Sequence, residues 1–124
     1  MIEYNVKVYE SGSKHWYMYG KLHRLDGPAV EWSDGSKEYW VDGKRHRLDS
    51  PAIEWKDGSK LYWVDGKRHR LDGPAIERAD GSKQYWVDGK KYTKQEWEEE
   101  VDKASKMDRL KSCLKQLLEC LEEE

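Results

Sequence analysis

Three histidines, His23, His46 and His69, recur every 23 residues, each followed by an arginine and, two residues later, an aspartate. Imidazole, guanidinium and carboxylate together could hold a metal, activate a nucleophile or clamp an anion. A shared metal does not fit the spacing. Stacked β-units would set successive histidines roughly 10 Å apart, whereas a zinc ion takes its ligands at about 2 Å. No cysteine or second histidine accompanies the histidine within a unit. No nucleophile stands beside a plausible base, and no phosphate-binding glycine loop occurs. Each glycine is periodic and explained by a turn. No metal, cofactor or enzymatic activity is expected.

The pairs Arg24/Asp26, Arg47/Asp49 and Arg70/Asp72 lie two residues apart, on the same side of an extended strand. They read as a ladder of salt bridges, each contributing roughly 0–1 kcal/mol when exposed. The aromatic columns are Tyr39-Trp40-Val41, Tyr62-Trp63-Val64 and Tyr85-Trp86-Val87, in a chain with seven Trp, eight Tyr and no Phe. Such rings beside Arg and Lys could stack nucleobases. Residues 14–91 nevertheless carry 16 basic against 13 acidic side chains, far from a basic footprint. Nucleic-acid or nucleotide binding is therefore the lesser alternative. Aromatic packing along a thin sheet is the main expectation, with some rings left exposed.

The elements that must position these columns follow from the same period. His23-Arg24-Leu25-Asp26-Gly27-Pro28-Ala29 returns as 46–52, with Ser50 for the glycine, and again as 69–75. A worn copy precedes them, with Trp16-Tyr17-Met18 on the Tyr-Trp-Val column. In the second unit Lys60–Val64 is rich in strand formers, and Asp65-Gly66 is a hairpin turn. Residues 67–70 return, Leu71-Asp72-Gly73-Pro74 breaks the pairing, and Ala75–Arg78 resumes before Asp80-Gly81 turns again. The expected fold is an all-β repeat protein: one elongated antiparallel sheet of stacked 23-residue hairpin units over residues 1–92, two strands per unit. One face should gather Tyr and Val, the other the central Trp.

Residues 93–124 read as a C-terminal helix. Thr93 is the N-cap and Glu96 its reciprocal partner, with Tyr92 and Trp97 placed as a hydrophobic staple. Ser105 repeats the cap signal, predicting a kink or second start there. Met107, Leu110, Leu114, Leu117 and Leu121 follow a/d spacing, and Leu118 widens the stripe. This stripe either covers the last strand's edge or forms a homodimer seam.

The net charge of −2 is uneven, +3 over residues 14–91 and −4 over residues 92–124. Met1-Ile2-Glu3-Tyr4 opens into a polar pattern without a leader or a long apolar run, so no membrane insertion is expected. Cys113 and Cys120 lie two helical turns apart, too far for an intrachain disulfide. They read as reduced thiols of a cytoplasmic protein.

The 23-residue period, the aromatic before each turn, Gly43–His46, Gly66–His69 and Asp57–Ser59 resemble MORN repeats over roughly residues 9–92. The resemblance implies a stack of β-hairpins used in scaffolding, dimerisation and, in some members, lipid-headgroup contact. Where the family usually has Gly after the His, this chain has Arg47 and Arg70. The His-Arg-x-Asp-Gly-Pro-Ala form is similar to small repeat proteins of tailed phages and large viruses. From these readings the expected function is a non-enzymatic protein-binding module. By the viral resemblance, its partner is a host protein, such as an antiviral defence component, which it inhibits in the host cytoplasm. The expected contacts are Tyr39, Trp40, His46, Arg47, Tyr62, Trp63, His69, Arg70, Tyr85 and Trp86. A purely structural, self-associating scaffold is a further alternative.

Overall fold

The computed structural model describes residues 3–122. The chain divides into two compact units, Met1–Tyr92 and Thr93–Glu124.

In the first unit, β1 (Asn5–Val8) and β2 (Lys14–Met18) form the opening hairpin, and β3 (Lys21–Leu22) returns along β2. The first full repeat supplies β4 (Val30–Glu31), β5 (Lys37–Glu38), β6 (Trp40–Val41) and β7 (Lys44–Arg45). The second supplies β8 (Ile53–Glu54), β9 (Lys60–Leu61), β10 (Trp63–Val64) and β11 (Lys67–Arg68). The series ends with β12 (Ile76–Glu77), β13 (Lys83–Val87) and β14 (Lys90–Tyr92). Pairing is antiparallel throughout. A ten-stranded sheet runs in the order β1-β2-β4-β5-β8-β9-β12-β13-β14, with β3 beside β2.

The fold is thus an all-β repeat with a C-terminal helix, in which the first two full repeats contribute four short strands each rather than two, and the last contributes three. The pairs β6–β7 and β10–β11 form two-stranded hairpins, each tied to the neighbouring unit by backbone bonds such as Gly43 N–H to Leu22 O and Gly66 N–H to Arg45 O. The stretch Lys60–Val64 changes partner at Tyr62. Lys60 and Leu61 pair with β8 and β12, while Trp63 and Val64 pair with β11. Tyr62 itself donates its N–H to Ala75 O at 2.7 Å and accepts the His69 N–H at 3.1 Å. Pro74, with no N–H to give, stands just before that alanine and keeps a continuous ladder from forming there.

The Asp-Gly turns behave as the sequence predicts. Asp65 and Gly66 have φ of 50° and 78°, both left-handed, which a two-residue type I′ hairpin turn requires. Lys44 side-chain carbons lie 3.6 Å from where a Gly66 Cβ would sit, so one unit's lysine stem lies over the next unit's turn.

The dry core is narrow. Ala29, Ala52 and Ala75 are fully buried, and Val30, Ile53 and Ile76 nearly so. Each buried Val or Ile contributes about 1.5–3 kcal/mol. The Tyr and Trp of the three columns are only half-buried. Successive units are also joined by polar bonds. The buried Ser13, Ser36 and Ser59 hydroxyl oxygens accept the N–H groups of Ser33, Lys56 and Ala79, at 3.1, 2.8 and 3.0 Å. The turn N–H groups of Gly43, Gly66 and Gly89 each donate at 2.9 Å to Leu22, Arg45 and Arg68 carbonyls. Every unit therefore satisfies backbone groups of the next.

In the second unit, helix α1 (Lys94–Glu122) is continuous through Ser105, so the expected kink or second start does not form. Its capping box does: Thr93 N–H donates to Glu96 Oε1 at 3.1 Å, and Glu96 N–H to Thr93 Oγ1 at 3.2 Å. Ser105 has no such need, because intrahelical bonds already occupy the backbone around it. Met107, Leu110, Leu114, Leu117, Leu118 and Leu121 are 54–66% exposed. Cys113 and Cys120 are free and exposed. Among the described residues, no helix is long and apolar enough to cross a membrane.

Candidate functional site

The repeat places its columns on two different surfaces, because neighbouring residues of an extended strand point to opposite sides. Tyr39 and Val41 line one inter-unit cleft of about 500 Å³ with Arg24, Leu25, Asp26, His46, Arg47 and Leu48. Its counterpart one repeat on, of about 300 Å³, is lined by Tyr62, Val64, Arg47, Leu48, His69, Arg70, Leu71 and Asp72. Trp40 and Trp63 line a separate groove, with Lys44, Arg45 and Lys67.

At the clefts the arginines are engaged inside the repeat. The guanidinium of Arg47 lies 3.8 Å above the Tyr39 ring, and that of Arg70 lies 3.9 Å above Tyr62. Each donates to a proline carbonyl, Pro51 O or Pro74 O, at 3.1 Å, and to the glutamate that follows, Glu54 or Glu77, at 3.2 and 3.0 Å. Burial works against the Arg70 charge, but the bonds to Asp72 and Glu77 leave its pKa raised. Burial likewise raises the Tyr62 phenol, against the pull of Arg70.

The expected Arg–Asp ladder is incomplete. Arg24 Nε bonds Asp26 at 3.0 Å and Arg70 Nε bonds Asp72 at 2.8 Å, whereas among the described residues Arg47 makes no ion pair with Asp49. Ser50 explains the gap. In the other two units this position is glycine, and a Cβ there would stand 2.9 Å from Arg24 Cζ or 2.8 Å from Arg70 Cζ. With Ser50 in place, Asp49 takes a left-handed φ of 63°.

The histidines are backbone latches. Nδ1 of His23, His46 and His69 accepts the N–H of Asp42, Asp65 and Asp88, at 2.9, 3.0 and 3.0 Å. Each bond spans 19 residues and fixes the next unit's Asp-Gly turn. Nδ1 is thereby occupied and the ring proton belongs on Nε2. Among the described residues, no group of three His, Cys, Asp or Glu side chains could hold a metal ion.

What remains open at the clefts includes an apolar column. Leu25, Leu48 and Leu71 are 61, 65 and 42% exposed. These leucines are not among the expected contacts, although their recurrence beside Arg and Asp is visible in the sequence. Of the ten expected contact residues, Tyr39, His46, Arg47, Tyr62, His69 and Arg70 come together at the clefts. Trp40, Trp63 and Trp86 lie on the other surface, and Tyr85 sits opposite Tyr92 in the β13–β14 pairing.

On the Trp surface, rings and guanidinium groups alternate. Arg45 Cζ is 5.0 Å from the Trp40 ring centre and 5.2 Å from that of Trp63. Arg68 Cζ is 5.2 Å from Trp63 and 4.8 Å from Trp86. Each such contact contributes about 0.5–2 kcal/mol. The series Trp40–Arg45–Trp63–Arg68–Trp86 crosses three units. Comparison with protein-family models, with curated proteins and with solved structures found no match.

Proposed function

We propose that the chain is a non-enzymatic protein-binding module whose successive clefts each receive an apolar side chain of a partner protein. The observation that carries this reading is the exposed column of Leu25, Leu48 and Leu71 at the mouths of two equivalent clefts. Exposed apolar side chains rimmed by polar groups mark binding surfaces. Asp26 and Asp72, 72 and 82% exposed, give the clefts a polar rim. Two strands of the sheet per unit set the clefts about 10 Å apart, so a partner presenting apolar side chains at that interval engages both at once. On the viral resemblance of the repeat motif, the partner is a host protein and the effect is inhibition. The stripe on α1 is proposed to pair with the same stripe of a second copy.

The test is capture from a lysate of the cells in which the chain acts, comparing the native chain with a Leu25→Asp, Leu48→Asp, Leu71→Asp variant. The leucines are exposed, so circular dichroism of the variant should match. The native chain should retain a stoichiometric protein that the variant loses. Equal retention by both would refute the cleft reading.

A further inference from the structure

The Trp surface carries chemistry the clefts do not use. Its central groove, about 410 Å³, is lined by Trp40, Lys44, Arg45, Trp63 and Lys67, with Asp65 the one acidic side chain. The lining therefore carries a net charge of +2. The basic pair recurs after each turn, as Lys44-Arg45, Lys67-Arg68 and Lys90-Lys91.

The polar balance differs between the units. In the first full repeat Glu38 answers the basic groups: it accepts the Trp32 and Trp40 indole N–H groups at 2.7 and 3.2 Å and lies 3.7 Å from Arg45 Nε. In the third, Gln84 accepts the Trp86 indole N–H at 3.1 Å. In the second the same position is Leu61. There Trp63 Nε1 and Arg68 Nε are buried without an acceptor. Arg45 Nε also lacks a hydrogen bond, but it has the Glu38 carboxylate beside it, whereas among the described residues Arg68 has no carboxylate partner. Positive charge is left uncompensated at the middle of the series.

The central indole is already engaged by guanidinium groups. Trp63 lies between Arg45 and Arg68, each with its guanidinium carbon 5.2 Å from the ring centre. A nucleobase needs an open aromatic face on which to stack, and this surface offers cations and guanidinium groups instead. We infer that the Trp40–Arg45–Trp63–Arg68–Trp86 surface, with Lys44 and Lys67, is a second binding site, for an acidic peptide segment of a protein. Charge complementarity selects the occupant, and planar guanidinium groups suit carboxylates in particular. Arg45 and Arg68 flank one ring and are at most about 10 Å apart, which a peptide in the polyproline-II conformation spans in three residues, one full turn that returns the side chain to the same face. Acidic side chains at every third position then meet successive arginines.

The probe is a labelled peptide with glutamate at every third position and glycine between, compared with an oligothymidylate of equal charge. The full chain is titrated with each at low and at moderate salt. The glutamate peptide should bind, at least tenfold more tightly than the oligonucleotide. Lys44→Glu with Lys67→Glu should weaken the peptide at least tenfold. Leu61→Glu, which places in the second unit the carboxylate already held in the first, should weaken it severalfold without loss of fold by circular dichroism. Oligothymidylate binding as tightly as the peptide would overturn the inference, as would no binding of the peptide, or binding indifferent to Leu61→Glu. The triple leucine variant separates this site from the clefts: it should bind the glutamate peptide like the native chain, whether or not the cleft reading survives.

Discussion

Nδ1 of His46 accepts the backbone N–H of Asp65 at 3.0 Å, tying the corner of one unit to the turn of the next. The same bond recurs from His23 to Asp42 and from His69 to Asp88. Geometry alone fixes the tautomer here, with the proton on Nε2. Nitrogen NMR of the imidazoles should show Nδ1 unprotonated in the folded chain at neutral pH. His46→Ala should lower stability by about 0.5–1.5 kcal/mol, the net worth of one hydrogen bond, measured by urea unfolding. A variant as stable as the native chain would remove the latch from the description.

Ser50 marks the one corner whose Arg–Asp pair is missing. Ser50→Gly clears the space beside Arg47 and should let Asp49 join it, raising stability by up to about 1 kcal/mol. Gly73→Ser should do the opposite, since its Cβ meets the Arg70 guanidinium at 2.8 Å. Paired thermal melts decide. A fall for Ser50→Gly would mean that crowding is not what opens this corner.

Leu61 leaves the Trp63 indole N–H without an acceptor. Leu61→Gln copies Gln84, which serves Trp86, and should stabilise the chain by up to about 1 kcal/mol. The midpoint of urea unfolding is the readout, and an unchanged or lower value would contradict the assignment.

Acid sensitivity has a defined sign. The Asp34 carboxylate is held below its ordinary pKa of 3.8 by the Ser36 N–H and hydroxyl, and that of Asp80 by the Ser82 hydroxyl and N–H. A depressed pKa contributes stability that is present above the ordinary value and lost as pH falls through the folded one. The melting temperature should therefore drop below about pH 4. Asp34→Asn with Asp80→Asn should flatten that drop, and an identical profile would refute the attribution.

The stripe on α1 makes a simple prediction for self-association. Leu114→Asp with Leu117→Asp should reduce the mass seen by light scattering from dimer to monomer. A native chain that is already monomeric, or a variant of unchanged mass, would dismiss the seam.

Much of the fold was legible because its signals are local. The period, the Asp-Gly hairpin turns and the Thr93/Glu96 box each reside within a few residues. What was hidden depends on contacts between units. Lys60–Val64 looks like one strand, and only the Tyr62 N–H leaving for Ala75 splits it. Ala52 and Ile53 form the core, yet a lone Ala-Ile pair beside proline is a weak signal next to the Trp and Tyr columns. The Arg45 and Arg68 ladder was missed for the same reason: each guanidinium serves a ring 18 residues away in the next unit, Trp63 or Trp86, a spacing no local pattern reveals. Of the ten expected contacts, those at the clefts lie together because Tyr39 and Trp40, adjacent in one extended stretch, point to opposite sides.

Hydrogen-exchange mass spectrometry on the captured complex tests the cleft reading most directly. Binding there predicts slowed exchange around residues 24–26, 47–49 and 70–72, with the segments holding Tyr39 and Tyr62 following. Slowing confined to α1, or to the outer turns at Asp34, Asp57 and Asp80, would contradict it.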